Sequence, residues 1–266
     1  MSHSSLMMCY KHLAESSVLW KRLKKKSSPG AAVIHLAEPP RASLSARAYQ
    51  TILQRILRGM VPIGGELSRR KLAIELGMSI LPVSEALQRL QNEGIVETRP
   101  RKGTRVRIPT DTDVRERYVI REALESQTAR LFCRTAAPAD QKELLKMAKR
   151  VDLLYARCFE GVGGDPDFLY LVQDTHTRFH LRIAEVSGCL ALRRILEANQ
   201  VLTFNWLYYV AASRPSLPPR FHSELAEALC TRDEEVADRA MRAHIRYGLD
   251  NVINCVTPAL AAAAAR

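Results

Sequence analysis

Apolar residues recur at helical spacing along most of the chain, with one short interruption. Tyr49, Ile52, Leu53, Ile56 and Leu57 form one stripe, with Ser43 or Ser45 placed to cap it. Gly59 to Gly65, with Pro62, read as a turn, and Ser68 as the cap of a second helix holding Leu72, Ala73 and Leu76. Gly77 suits the left-handed residue that ends such a helix. Ser79 is positioned to cap a third helix, with Pro82 in its first turn, an inner face of Val83, Ala86, Leu87 and Leu90, and Gly94 at its end. The period then changes. Ile95–Thr98 and Thr104–Ile108 read as short strands around the turn Arg99-Pro100-Arg101-Lys102-Gly103. After Pro109 the strand pattern does not return. Helices are expected over about Val114–Cys133, Pro138–Phe159, Asp167–Val186, Leu190–Ala212 and His222–Cys230, and from a cap at Asp233 to about Asn254.

These elements predict a mainly α protein. An N-terminal winged helix-turn-helix of three helices plus a β-hairpin (43–109) precedes an all-α bundle of six to seven helices (110–255). Residues 1–42, with the run Lys21-Arg22-Leu23-Lys24-Lys25-Lys26, read as a basic, disordered extension, and 256–266 as an Ala-rich, frayed tail. A helix of this motif fits the major groove, and a basic hairpin beside it can reach phosphate or the minor groove. An ordinary helical hairpin beside a core β-hairpin would give a similar pattern.

Charge separates these alternatives. The net charge of +12 lies entirely within residues 1–110, which hold 19 Lys/Arg against seven Asp/Glu; residues 111–266 hold 21 of each. A basic front joined to a neutral back points to a polyanion-binding module fused to something else. The six cysteines are scattered without metal-ribbon spacing and suit buried thiols in a reducing cytoplasm. No signal peptide stands out, and the apolar stretch Val201–Ala212 is too short to span a bilayer, so a membrane partner is not expected.

Chemistry concentrates in the back half. His176 and His180 are four apart and share a helix face, while His222 and His244 lie on two further helices. A bundle can bring such side chains to one interior point, and four imidazoles would suit a divalent transition metal, with open positions for a carboxylate. Zinc is the first expectation, with nickel or iron as alternatives. Four unrelated histidines would satisfy the same spacing. A metal-dependent hydrolase is the rival class, but no HExxH occurs, and Glu185 and Glu224 are undistinguished as bases. A DNA-architectural protein without effector is a third reading.

Two sets of residues carry a family resemblance. Pro62-x-Gly-Gly-Glu-Leu67, Leu72-Ala73, Leu76-Gly77-Met-Ser79, Pro82-Val83, Glu85-Ala86-Leu87, Arg89-Leu90, Glu93-Gly94 and Gly103-x-x-Val106 resemble the winged helix of GntR-family regulators. Arg121-x-x-Leu124-Glu125, His176-x-x-Phe179-His180, His222 with Ala228-Leu229, and Asp233-x-x-x-Ala237 leading to His244 resemble the FCD effector domain of the FadR subgroup. The resemblance implies a non-enzymatic, homodimeric transcriptional regulator. It would bind a palindromic double-stranded operator and respond to a small carboxylate in the bundle. It implies a metal site of one aspartate and three histidines, with His176 standing here where the aspartate is expected, and an anion-meeting role for Arg121. The competing role for Arg121 is a surface ion pair with Glu125. On the DNA side, Arg70, Ser79 and Gly103 match family contact positions. Ile80 and Ser84 stand where the family usually carries arginines, so an altered operator is expected. Arg89, Arg101 and Lys102 complete the candidate interface, with Arg69, Lys71 and Gln88 as lesser candidates.

Overall fold

A computed structural model describes residues 43–99, 101–158, 165–198 and 217–264. The basic extension, and the stretch of the expected fourth helix beyond Ala198, lie outside the described residues. The front part contains α1 (Leu44–Leu57), β1 (Glu66–Leu67), α2 (Arg69–Leu76), α3 (Ile80–Asn92), β2 (Val96–Arg99) and β3 (Gly103–Val106). The caps follow the sequence: Ser43 Oγ accepts from Ala46 N, and Ser68 Oγ accepts from Lys71 N. Gly77 closes α2 at φ 61°, a left-handed value that costs glycine nothing, and a Cβ there would meet no atom within 4 Å. The tight α2–α3 turn therefore depends on backbone freedom rather than on space. Ala48, Tyr49, Ile52, Leu53 and Ile56 of α1 pack on Val83, Ala86, Leu87 and Leu90 of α3 to form the core of this part.

The sheet differs from the expected hairpin. Three strands pair antiparallel in the order β1-β3-β2, with Leu67 opposite Thr104 and Val96 opposite Val106. β1 is only two residues long, too short to display a period of two, which is why the sequence pattern missed it. β3 also stops at Val106 rather than Ile108. The chain must turn into Pro109 and the cap at Thr110, so its last ladder-like bond is Arg107 N to Ile95 O at 2.9 Å.

The back part contains α4 (Asp111–Thr135), α5 (Pro138–Arg157), α6 (Pro166–Val186), α7 (Leu190–Ala198), α8 (Phe221–Leu229) and α9 (Glu234–Ala264). Thr110 and Asp113 form a reciprocal capping box at the start of α4. α4 packs along α9, α6 lies against both α4 and α5, and α8 is seated between α5 and α9. Ala148, Val151, Phe179, Ile183, Leu229, Ala237 and Met241 are all fully buried in the middle of this bundle. α9 runs ten residues past the expected end at Asn254. The alanines after Pro258 have the highest helix propensity of any residue, which sustains the helix where a frayed tail was expected.

Candidate metal centre and nucleic-acid interface

The inner stripe of α6 reads Leu169, Val172, Gln173, His176, Phe179, His180 and Ile183, all buried. Its polar members face α4, α8 and α9, which supply the other site residues. His176, His180, His222 and His244 are 1–7% exposed, and one ring nitrogen from each falls within 4.8 Å of every other. The spacing HxxxH stacked two rings on one face, and the bundle brought His222 and His244 to them. Tyr155 of α5 stacks on His222, with centroids 5.4 Å apart, and Phe221 stacks on His244 at 4.3 Å. The imidazoles are thereby held by aromatic planes on their outer sides.

Two carboxylates orient two of the rings. Asp152 on α5 accepts from His222 Nδ1 at 2.9 Å and also from the backbone N–H groups of His222 and Ser223 and the Ser223 hydroxyl. α8 starts at Arg220 in a left-handed conformation with no side-chain cap of its own. Asp152 therefore caps α8 from another helix and fixes the His222 tautomer at once. Behind His180, Glu125 Oε2 lies 2.5 Å from Nδ1, and Glu125 Oε1 accepts from Arg121 Nε at 2.7 Å. The bond to the Asp152 carboxylate places the His222 proton on Nδ1 and leaves its Nε2 lone pair free. The arrangement is that of outer carboxylates behind metal-ligating imidazoles. Arg121 and Glu125 do pair, but at 2–3% side-chain exposure. The surface pair that stood as the alternative role for Arg121 is corrected to a buried one, because α4 turns this face onto α6 rather than toward solvent.

Electrostatics favours neutral rings. Burial, reinforced by His180, His222, Arg121 and His244, pushes His176 well below the usual imidazole range. Burial with His222, His180 and Arg121 does the same to His244, and burial lowers His222 despite the opposing pull of Asp152. Burial would raise Glu125, but the Arg121 and His180 charges outweigh it and hold it at about 2. Three of the rings, His176, His222 and His244, are therefore held toward the neutral form, the one that binds metals.

The donor set fits a shared ion on two observations. His176 Nε2 and His180 Nε2 are 3.1 Å apart. Two nitrogens each about 2.1 Å from one ion lie about 3.0–3.4 Å apart at right-angled to tetrahedral geometry. In addition, the Nδ1 atom of His244 is buried without a protein hydrogen-bond partner, a costly state for a polar atom that a ligand would relieve.

The front part offers a second candidate surface. Arg69, Arg70 and Lys71 open α2 and, with Ser68, Lys102 and Gly103, line an open cleft of about 600 Å³ between α2 and the β2–β3 turn. Ser79 takes N-cap geometry on α3, but its hydroxyl makes no bond to the helix, contrary to the expected side-chain cap. Ile80 is exposed, Ser84 half-buried, and Arg101 and Lys102 exposed at the tip of the turn. Arg89 is not part of this group: its guanidinium lies 3.9 Å from the Tyr49 ring centroid and pairs with Glu93 at 3.0 Å. Gln88 donates to Asn92 on the exposed face of α3.

Sequence reasoning missed Asp152 altogether, and took Glu125 only as a partner of Arg121. The available signal for Asp152 was an acid within the apolar run Val151-Asp152-Leu153-Leu154-Tyr155. Glu185, a candidate base in the hydrolase reading, pairs with Arg182 and Arg193 away from the histidines, and Glu224 is exposed.

Fold and sites together define a two-part regulator: a winged helix with a basic face, and a helical bundle with a polar centre. Comparison with known proteins gives the same division. The family description "Bacterial regulatory proteins, gntR family" matches residues 44–106, and "FCD domain" matches residues 116–247. A probable D-xylose utilization operon transcriptional repressor of Paenarthrobacter nicotinovorans is 27% identical over 210 residues, covering 77% of this chain and 87% of the relative. The HTH-type transcriptional repressor RspR of Escherichia coli is 23% identical over 78% of this chain and 88% of its own. The solved structure of E. coli McbR/YncC superposes with a TM-score of 0.64 at 22% identity, covering 80% of this chain and 99% of that one. The chain belongs to the GntR family of transcriptional regulators, with a GntR winged helix followed by an FCD domain. It is a DNA-binding regulator and not an enzyme, which sets aside the hydrolase reading. No helix among the described residues is long and apolar enough to cross a membrane.

Proposed function

We propose that this regulator is a cytoplasmic homodimer whose affinity for a palindromic operator is set by a small carboxylate bound at a metal in the bundle. The observation carrying this reading is the convergence of four buried imidazoles within 4.8 Å. His176, His180, His222 and His244 would hold a divalent transition metal, zinc first and nickel or iron as alternatives. Bound there, the ion supplies a positive centre with which an anionic effector can form a bond. None of the four donors is a carboxylate, so the protein leaves that positive charge uncompensated in the first ring of contacts. Glu125 and Asp152 sit behind His180 and His222, where they hold the rings without occupying a ligand position. Arg121 would add favourable charge for an anion near the site.

On the operator side, Arg70 and Lys102 would meet phosphates from the α2–β3 cleft, with Arg101 and Gly103 at the tip of the wing. Ser79, Ile80 and Ser84 would present the start of α3 to base edges. Arg89 would act through Tyr49 and Glu93 rather than at the DNA. Effector binding would shift the population of bundle arrangements and so the spacing of two DNA heads.

The test combines elemental analysis with operator binding. The purified protein should hold about one transition metal per chain, and the doubly substituted His176→Ala/His180→Ala variant should hold none. Chelation should change operator affinity without abolishing its salt dependence. Equal metal content in the two proteins would overturn the metal reading, and a salt-independent affinity would overturn the operator surface.

A further inference from the structure

The first turn of α3 is apolar where a DNA-reading helix would be expected to carry hydrogen-bonding groups. Ile80 is 55% exposed and Leu81 69% exposed, side by side at the helix start. Packing does not demand them. The same helix fills its core with Val83, Ala86, Leu87 and Leu90, each at most 1% exposed. No acidic or basic side chain lies in the first turn. Two adjacent large aliphatic side chains left in water at the tip of a recognition helix need a partner.

We infer that Ile80 and Leu81 are specificity-determining residues that read thymine methyl groups, so that each operator half-site carries thymine where α3 enters the major groove. This rests on the operator-binding surface proposed above. The surroundings select the occupant. The same winged helix carries Arg69, Arg70 and Lys71 at the start of α2 and Arg101 and Lys102 at the tip of the wing, all exposed, with Arg69 to Lys71 and Lys102 lining one cleft. Together with the net charge of +12 confined to residues 1–110, this is a surface for a polyanion rather than for an apolar protein face. In duplex DNA the apolar feature of the major-groove edge is the C5-methyl of thymine. Further along the exposed face of α3 lies Gln88, a side chain suited to bidentate contact with adenine N6 and N7, and Glu85, suited to cytosine N4. The face as a whole is thus weighted toward A·T pairs, and its first turn lacks a donor for guanine.

The experiment uses the full chain and a random-sequence duplex pool. Bound duplexes are selected, and each thymine of the resulting consensus is then replaced singly by uracil. That change removes one methyl group and leaves pairing and phosphates intact. Affinity should fall about fourfold at one or two positions in each half-site. The Ile80→Ala/Leu81→Ala variant should bind thymine and uracil duplexes alike at those positions while keeping the wild-type salt slope. Its circular dichroism should be unchanged, because both side chains are exposed. Uracil duplexes that bind as well as thymine duplexes at every position overturn the inference, as does a consensus with guanine there or a double variant that still discriminates. A chain that enriches no sequence yet binds duplexes with a steep salt slope overturns the inference alone. A chain that binds no duplex at low salt overturns the operator-binding surface beneath it as well.

Discussion

Removing the Asp152 carboxylate should loosen two things that are usually separate, the start of a helix and the aim of a ligand. Its two oxygens accept from His222 N at 2.9 Å, His222 Nδ1 at 2.9 Å, Ser223 N at 3.0 Å and Ser223 Oγ at 2.6 Å. Loss of a helix cap costs about 1 kcal/mol. His222 and Ser223 are 1% and 4% exposed, so Asp152→Ala also strands buried donors, at about 1–3 kcal/mol. These contributions share atoms and do not add fully, which leaves about 3 kcal/mol. In a chain of this size that lowers Tm by about 6–12 °C. Asp152→Asn keeps one acceptor oxygen for the cap but turns the other into an amide donor, so it should recover only part of that loss. Its neutral amide no longer holds His222 as a carboxylate does, so zinc affinity should still fall about tenfold or more. The two variants therefore separate capping from ligand orientation. The assays are thermal unfolding of the metal-free protein and zinc competition against a chromophoric chelator. If Asp152→Ala melts with the wild type, the cap is supplied elsewhere and the reasoning fails. If Asp152→Asn binds zinc as the wild type does, Asp152 does not orient a ligand.

The depressed imidazoles of His176, His222 and His244 make the metal-free protein acid-sensitive. Their unfolded forms take up protons near pH 6.5 while the folded forms do not, so stability falls with pH below that value. The limiting slope is about 1.4 kcal/mol per pH unit for each group, or about 4 for the three; a urea midpoint that stays flat from pH 7 to pH 5.5 would contradict the buried neutral cluster. Arg121→Met should destabilise by about 3 kcal/mol, because it leaves Glu125 buried with His180 alone, and adding Glu125→Gln should recover part of the loss. A double variant no more stable than Arg121→Met in a denaturant titration would count against that pair as the cause. Arg117→Ala should leave metal content unchanged but shrink the difference in operator affinity between metal-loaded and chelated protein, read by fluorescence anisotropy. An undiminished difference would place the coupling elsewhere.

What the sequence made legible follows from where a period is long enough to read. α1 and α3 buried the residues their stripes named, save Leu57, which is half-buried at the end of α1, since three or four turns average out local exceptions. The pairing of His176 with His180 was readable because both lie on one helix, whereas their meeting with His222 and His244 depends on how α8 and α9 pack, which no local pattern records. α4 is the instructive case: its inner face carries Arg121, Glu125, Ser126 and Thr128 as well as Phe132 and Cys133, so its apolar stripe is weak. The buried Arg121–Glu125 pair looked like a solvated i,i+4 pair because the two differ only in what lies opposite. Asp152 was invisible for the related reason that its partners are seventy and seventy-one residues away.

α4 also explains how a polar bundle centre could be felt at the DNA-facing end. Its first turn is tied to the wing side by Arg107, which donates to Asp113 at 2.6 Å. One turn on, Arg117 reaches the carbonyl of Glu93 at the end of α3. Gly94 allows that approach, since a Cβ there would stand 3.0 Å from Arg117 Nη2. Twelve residues beyond Asp113, about 18 Å along the same helix, Glu125 lies against His180. A continuous helix of 25 residues with intact backbone bonds does not absorb a displacement over that length; it tilts or slides as a body. A shift of the His180 ring on metal or effector binding would therefore arrive at Glu93 and Arg107 as a movement of the whole α4 start. The Arg107–Asp113 pair and the Arg117–Glu93 contact there are partly exposed, so they can exchange partners with water at small cost. The bundle end around Glu125 is buried and the end near Arg107 is partly exposed; under the proposed function, that asymmetry would let the same helix hold the metal centre firmly and still release the reading head.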